Sequence, residues 1–186
     1  PLAALLGFVE TLQGPARDDA LARERFLEIM RGEAQRMSRL VNDLLSLSRI
    51  EAMEHARPTD RVDLGAVIAR VVDALSMPAR EKHMRLVVEL APHLPAVTGD
   101  GDQLQQLFQN LIDNAIKYGR AQSEVRITAQ VPDEAKPAQV AVAVADEGEG
   151  IARSHLSRLT ERFYRVDAGR SRRLGGTGLG LAIVKH

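Results

Sequence analysis

The chain has 186 residues, 45% of them apolar, enough for one large domain or two small ones around a buried core, which excludes a disordered tail. Its 25 basic and 25 acidic side chains cancel, so nothing in the overall charge draws it to nucleic acid or to an anionic membrane surface, and the lack of cysteine excludes disulfides and thiolate metal sites. No apolar run approaches the roughly 20 residues of a transmembrane helix and no signal-peptide pattern is present, so the chain is expected to be soluble and cytoplasmic.

The opening PLAALLGFVETLQG carries Leu2, Leu5, Leu6, Val9 and Leu12 at helical spacing and stops at Gly14-Pro15, which predicts one helix. After a polar link, positions 21 to about 53 set Met30, Met37, Leu40, Leu44 and Leu47 at steps of three, four or seven between Arg and Glu. This is the seam of a long amphipathic helix. Two helices joined this way form an antiparallel hairpin, and one apolar stripe on each cannot enclose a core. Either a second hairpin completes a four-helix dimer or the rest of the same chain covers the seam. The pattern alone leaves both open.

Proline and charge in HARPTDRVD mark a linker at about 55–61, dividing the chain into 1–56 and 62–186. The second part reads as helix 64–80, strand 85–90, helix 102–118, strands 124–131 and 139–145 around the polar loop PDEAKPA, a short helix near 154–160 and a final helix from about Thr177. The whole is an α+β layer pattern.

Three motifs carry chemistry. In NLIDNAIKYG, Asn110, Asn114 and Lys117 recur at steps of four and three and share one helix face. An asparagine amide oxygen suits Mg²⁺ that keeps waters and phosphates, a lysine one turn on can neutralise phosphate, and Tyr118 offers a flat surface for a base. Solvated polar positions with a snorkelling lysine would read the same. In DEGEGI, Asp146 stands at a strand end, where a buried carboxylate could accept from the exocyclic amine of adenine, and Gly148 and Gly150 let the backbone turn. Such junctions are also common turns. In GGTGLGL, Gly176, Gly178 and Gly180 precede an apolar helix, with Thr177 at the N-cap position, and amides exposed there can bind phosphate. It is neither a Walker A loop nor a dinucleotide fingerprint, and a flexible loop has the same composition.

Found in this order, with ERFYRVD between the last two, the motifs resemble the N, G1, F and G2 boxes of the histidine kinase catalytic domain, a branch of the ATP-binding fold of gyrase and Hsp90. The hairpin resembles that family's dimerisation and phosphotransfer domain, most closely the wording of phosphate-regulon sensor kinases. The resemblance implies a four-helix-bundle dimer followed by an α/β sandwich, with ATP and Mg²⁺ as ligands. Asn114 would coordinate the metal, Asn110 and Lys117 would act near the phosphates, Tyr118 would flank adenine and Asp146 would contact its amino group. Gly148 and Gly150 would shape that pocket, and Gly176, Thr177, Gly178, Leu179 and Gly180 would line the phosphates. Arg165 would approach the γ-phosphate, with Asn110 and Lys117 completing the catalytic set. Positions 166–176, including Arg170, Arg172 and Arg173, would form a lid.

Of the signature HExxTP only the final proline, Pro1, is present, so the phosphoacceptor histidine would precede it, and none of the five histidines takes that role. The chain as given is therefore expected to bind ATP without accepting its phosphate, and its last helix is expected to lack the strands that follow in the family. The implied partners are a second copy through the hairpin and a response regulator, docking in part on Ala4, Gly7, Phe8 and Thr11. Membrane anchorage of the parent, in the inner membrane, would come only from upstream. Two rivals remain: a nucleotide-sensing module without kinase activity, and a gyrase- or Hsp90-type ATPase, for which the nearby acid would be Asp113 where those enzymes use glutamate.

Overall fold

A computed structural model describes residues 2–52, 58–132, 139–167, 169, 171 and 174–185. The loop at 133–138, linker positions 55–57, and Arg170, Arg172 and Arg173 of the expected lid lie outside them. The hairpin is α1 (Leu2–Gln13) and α2 (Ala20–Ala52). Asp19 starts α2 by accepting the Ala22 amide at 2.9 Å, as an N-cap should. Phe8 and Phe26 stack across the hairpin with ring centroids 5.4 Å apart. Phe8 therefore faces α2, which corrects its expected place on the solvent face beside Ala4 and Gly7; a large aromatic gains more from the partner helix than from water.

The α/β part begins with β1 (Arg61–Val62), paired antiparallel with β3 (Val97–Thr98), two strands too short for any periodicity to reveal. The expected helix over 64–80 is two, α3 (Leu64–Ala74) and α4 (Ser76–Glu81). Pro78 has no amide proton and its ring clashes with the carbonyl of Ala74, so the ladder breaks at Leu75. At the far end of α4, His83 takes φ 56° and Met84 donates to Ala79 at 2.8 Å, a Schellman turn that leads into β2 (Arg85–Leu90). Helix α5 (Gly101–Tyr118) is capped by Asp100, which accepts from Asp102 and Gln103 at 2.8 and 3.0 Å.

The main sheet has the order β2-β4-β5, with β4 (Glu124–Gln130) parallel to β2 and β5 (Ala141–Ala145) antiparallel to β4. Along β4 the period of two sends Val125, Ile127 and Ala129 into the core and Arg126 to the other face, beside Glu89 and Glu124. Helices α3 and α5 cover the apolar face with Val67, Ile68, Val71, Phe108, Ile112 and Ile116. The layers are those expected. The short α6 (Arg153–Leu156) follows the sheet, and α7 (Gly180–Lys185) starts three residues later than expected. Leu179, not Thr177, gives its carbonyl to the first helical bond, from Ile183 at 2.9 Å. The Thr177 hydroxyl accepts the Leu179 amide at 3.3 Å, but Gly178 at φ 79° is not helical, so the helix does not start there.

A second core joins the two parts. Leu47, Leu40 and Ile50 of α2 pack on Leu179 and Ile183, so the end of the hairpin seam is covered by this same chain. The rest is not: α1 contributes no buried residue, and Leu6 and Leu27 remain 62% and 52% exposed.

Candidate nucleotide-binding site

Between α2, α5, the end of β5 and the glycine-rich loop lies a cleft of about 1120 Å³, and it brings together every expected site residue except Leu179. Leu179 is wholly buried behind the loop against Leu47 and Ile183, because an apolar side chain at a helix start is drawn to core rather than to a wet cleft. Residues from Asn110 to Leu181 in sequence thus converge on one space.

The α5 face enters it as its spacing predicts. Among the described residues the buried Asn110 side-chain nitrogen has no hydrogen-bond partner, and a Cβ added at Gly180 would stand 3.1 Å from the Asn110 oxygen. An unsatisfied buried amide is costly, and an acceptor brought by a ligand would relieve it. Lys117 forms an ion pair with Asp113 one turn back, and the Tyr118 hydroxyl donates to Ser171 Oγ at 3.2 Å. Asp146 is exposed, which corrects the expected burial: it lies past the last strand residue, at the open rim, and accepts the Gly148 amide at 2.7 Å. Gly148 admits no side chain, since a Cβ would meet Asp146 Oδ1 at 2.5 Å and the Tyr118 carbonyl at 2.8 Å. Gly150 adopts φ 74°.

The glycine-rich loop is held on several sides. The Gly176 amide donates to Ser171 at 2.8 Å, the Gly178 carbonyl accepts from the Phe163 amide at 2.8 Å, and Arg165 Nη2 donates to the Thr177 carbonyl at 2.8 Å. Gly178 has φ 79°, and a Cβ there would stand 3.0 Å from the Phe163 backbone, so both conformation and close approach require glycine. Nearby, His155 shares a 2.5 Å hydrogen bond with the Tyr164 hydroxyl, over whose ring Arg158 lies 4.2 Å from the centroid. His155 is thus half-buried and partnered.

Sequence reasoning missed what α2 contributes. Arg39, Asn42 and Asp43 line the cleft, and Asp43 Oδ2 accepts from the Thr177 hydroxyl at 2.6 Å. Burial pushes the Asp43 carboxyl above its ordinary range, opposed by the Thr177 hydrogen bond and by the charges of Lys117 and Arg39, and reinforced by Asp113. One turn on is Leu47 in the second core, and one turn further Glu51 pairs with Arg162. Positions 43, 47 and 51 form a docking stripe. Their spacing is visible in sequence, but a polar residue beside a helical seam reads as solvated.

The residues fit a nucleotide with a hydrated cation. Among the described residues no group of three or more His, Asp or Glu could hold a metal ion, so an ion at Asn114 would complete its shell with water and phosphate oxygens, as Mg²⁺ does.

Comparison with known proteins agrees with the geometry. Residues 1–52 match the family "His Kinase A (phospho-acceptor) domain", and residues 99–186 match "Histidine kinase-, DNA gyrase B-, and HSP90-like ATPase". The whole chain is 38% identical to the phosphate regulon sensor protein PhoR of Pseudomonas aeruginosa and 34% identical to the sensor histidine kinase WalK of Bacillus subtilis. It spans only 41% and 30% of their respective lengths. Among solved structures, the Acinetobacter baumannii histidine kinase AdeS superposes with a TM-score of 0.71 at 26% identity, over 99% of this chain and 81% of that one. Full-length ShkA in complex with AMPPNP gives 0.70 at 29% identity, over 100% of this chain and 37% of that one.

Proposed function

This chain belongs to the two-component sensor histidine kinases, and we propose that it is the ATP-binding core which, in the complete protein, directs the γ-phosphoryl group of ATP to a histidine nitrogen and then to an aspartate of a response regulator. The observation that carries this reading is the convergence of three separate motifs, with Arg165, on one cleft beside the hairpin. Bound Mg²⁺ would supply charge neutralisation on the phosphates, with Asn114 as its protein ligand. Asn110 offers its unsatisfied amide to a phosphate oxygen, and Lys117 and Arg165 bring positive charge to the same region. Tyr118 would flank a base and Asp146 would hydrogen-bond its amino group, and the loop from Gly176 to Gly180 would lie along the phosphates. Phosphoryl transfer asks little more than such positioning and charge stabilisation.

The hairpin supports dimerisation, since much of its apolar surface finds no cover among the described residues. No described helix is long and apolar enough to cross a membrane, so inner-membrane anchorage would come from other parts of the full protein. Hydrolysis of the gyrase or Hsp90 kind is disfavoured because the acid available in α5, Asp113, is paired with Lys117.

In the chain as given, ATP with Mg²⁺ is expected to bind with negligible hydrolysis and to leave no acid-labile phosphate on the protein. Asn114→Ala and Asp146→Ala should each abolish saturable binding of a fluorescent ATP analogue; full retention by either would sink the assignment.

A further inference from the structure

Ser171, Phe163 and Arg165 hold the glycine-rich loop from within its own domain. Thr177 ties it to the hairpin. The Thr177 hydroxyl donates to Asp43 Oδ2 at 2.6 Å, and the same oxygen accepts the Leu179 amide at 3.3 Å, so one hydroxyl ties α2 to the loop backbone at the start of α7. Thr177 is only 8% exposed, and Leu47 packs on Leu179 and Ile183 one turn along α2 from Asp43. The contact is therefore a docked junction rather than a chance surface meeting.

We propose that Asp43 is a positioning residue for nucleotide binding: from the hairpin it holds Thr177, and through it the glycine-rich loop, in the shape that receives the phosphates. This rests on the reading of the cleft as a nucleotide site. A loop already ordered gives up less conformational freedom when the ligand arrives, so affinity rises with the docking of α2. The coupling is reciprocal, and bound nucleotide strengthens that docking by the same factor.

Charge and position act in opposite directions here, and that separates them. A carboxylate facing the cleft repels phosphate, so if Asp43 acted by charge alone its removal would tighten binding. If it acts by position, the amide oxygen of asparagine, still an acceptor for the Thr177 hydroxyl, replaces it.

The test titrates trinitrophenyl-ATP with Mg²⁺ into the whole chain. Asp43→Ala and Thr177→Val should each weaken binding about threefold to tenfold, the weight of one hydrogen bond. The double variant should bind no more weakly than the poorer single one, because both remove the same link. Asp43→Asn should bind within about twofold of the unaltered chain or more tightly. Without nucleotide, hydrogen exchange at the Leu179 amide should quicken in Asp43→Ala, a readout that does not depend on ligand. Unchanged or tighter binding by Asp43→Ala, or losses that multiply in the double variant, overturns the proposal. Asn114→Ala serves as the control: if it loses binding while Asp43→Ala does not, only this inference falls, and if it keeps binding, the nucleotide reading falls first.

Discussion

Asp43 shows how one side chain can belong to two environments. In the docked chain burial raises its carboxyl above the ordinary 3.8, whereas release of α2 would return it to water. A carboxyl that binds its proton more tightly when docked contributes stability that is fully present below about 3.8 and is lost as pH rises through the raised value. Asp43→Asn, which carries no charge to bury, should therefore resist urea better than the unaltered chain near neutral pH, and this advantage should shrink as pH falls toward that value. An advantage that stays constant with pH would show that burial does not penalise this group. Glu124 runs the other way, held low by Arg126, but it is present in both proteins, so it drops out of the comparison. At this scale the cleft was largely legible in sequence: Asn110, Asn114, Lys117 and Tyr118 stand on one face because a helix repeats every 3.6 residues. Asp43 was not, since no spacing rule tells a polar residue aimed at another domain from one aimed at water.

Among elements, α5 carries Asn110, Asn114, Lys117 and Tyr118 of the expected site, and its end is secured from outside. Lys82 donates to the carbonyls of Ile116, Lys117 and Gly119 at 2.7, 2.8 and 2.7 Å, placing a positive charge on the negative end of the helix dipole. The Schellman turn after α4 aims it there. Lys82→Met keeps the stem but strands three carbonyls, and should cost about 2–3 kcal/mol, the range for hydrogen bonds to a charged group, read as a lower urea midpoint with unchanged slope. Strand and helix existence followed from periodicity, but boundaries did not. The break at Leu75 comes from Pro78 three residues on, and α7 begins late because Gly178, closed onto the Phe163 backbone, takes φ 79° and cannot be helical. Both errors arose where a local signal met a long-range partner.

For the whole molecule, the hairpin's exposed leucines set the expected assembly. A solvent-facing seam of this kind is stable when a second copy covers it, giving the four-helix arrangement of the family. Sedimentation velocity should show a concentration-dependent dimer, and the pair Leu6→Glu with Leu27→Glu should sediment as a monomer at the same loading; a monomer for both proteins would refute it. The two-part layout was readable from composition, with the linker at the change from helical period to proline and charge. Which stretch of seam turns inward was not, because Leu40 and Leu47 look like Leu44 until the α7 residues they meet are known.

The docking stripe at 43, 47 and 51 also fixes an axial address. Sliding α2 by one turn, about 5.4 Å, would present Arg39 or Leu47 to Thr177 and press Asp43 or Glu51 into the apolar contact of Leu179 and Ile183. Burying either carboxylate there is costly, so neighbouring stations along the helix are closed. The α/β part is therefore seated on α2 at this one station and not a turn to either side.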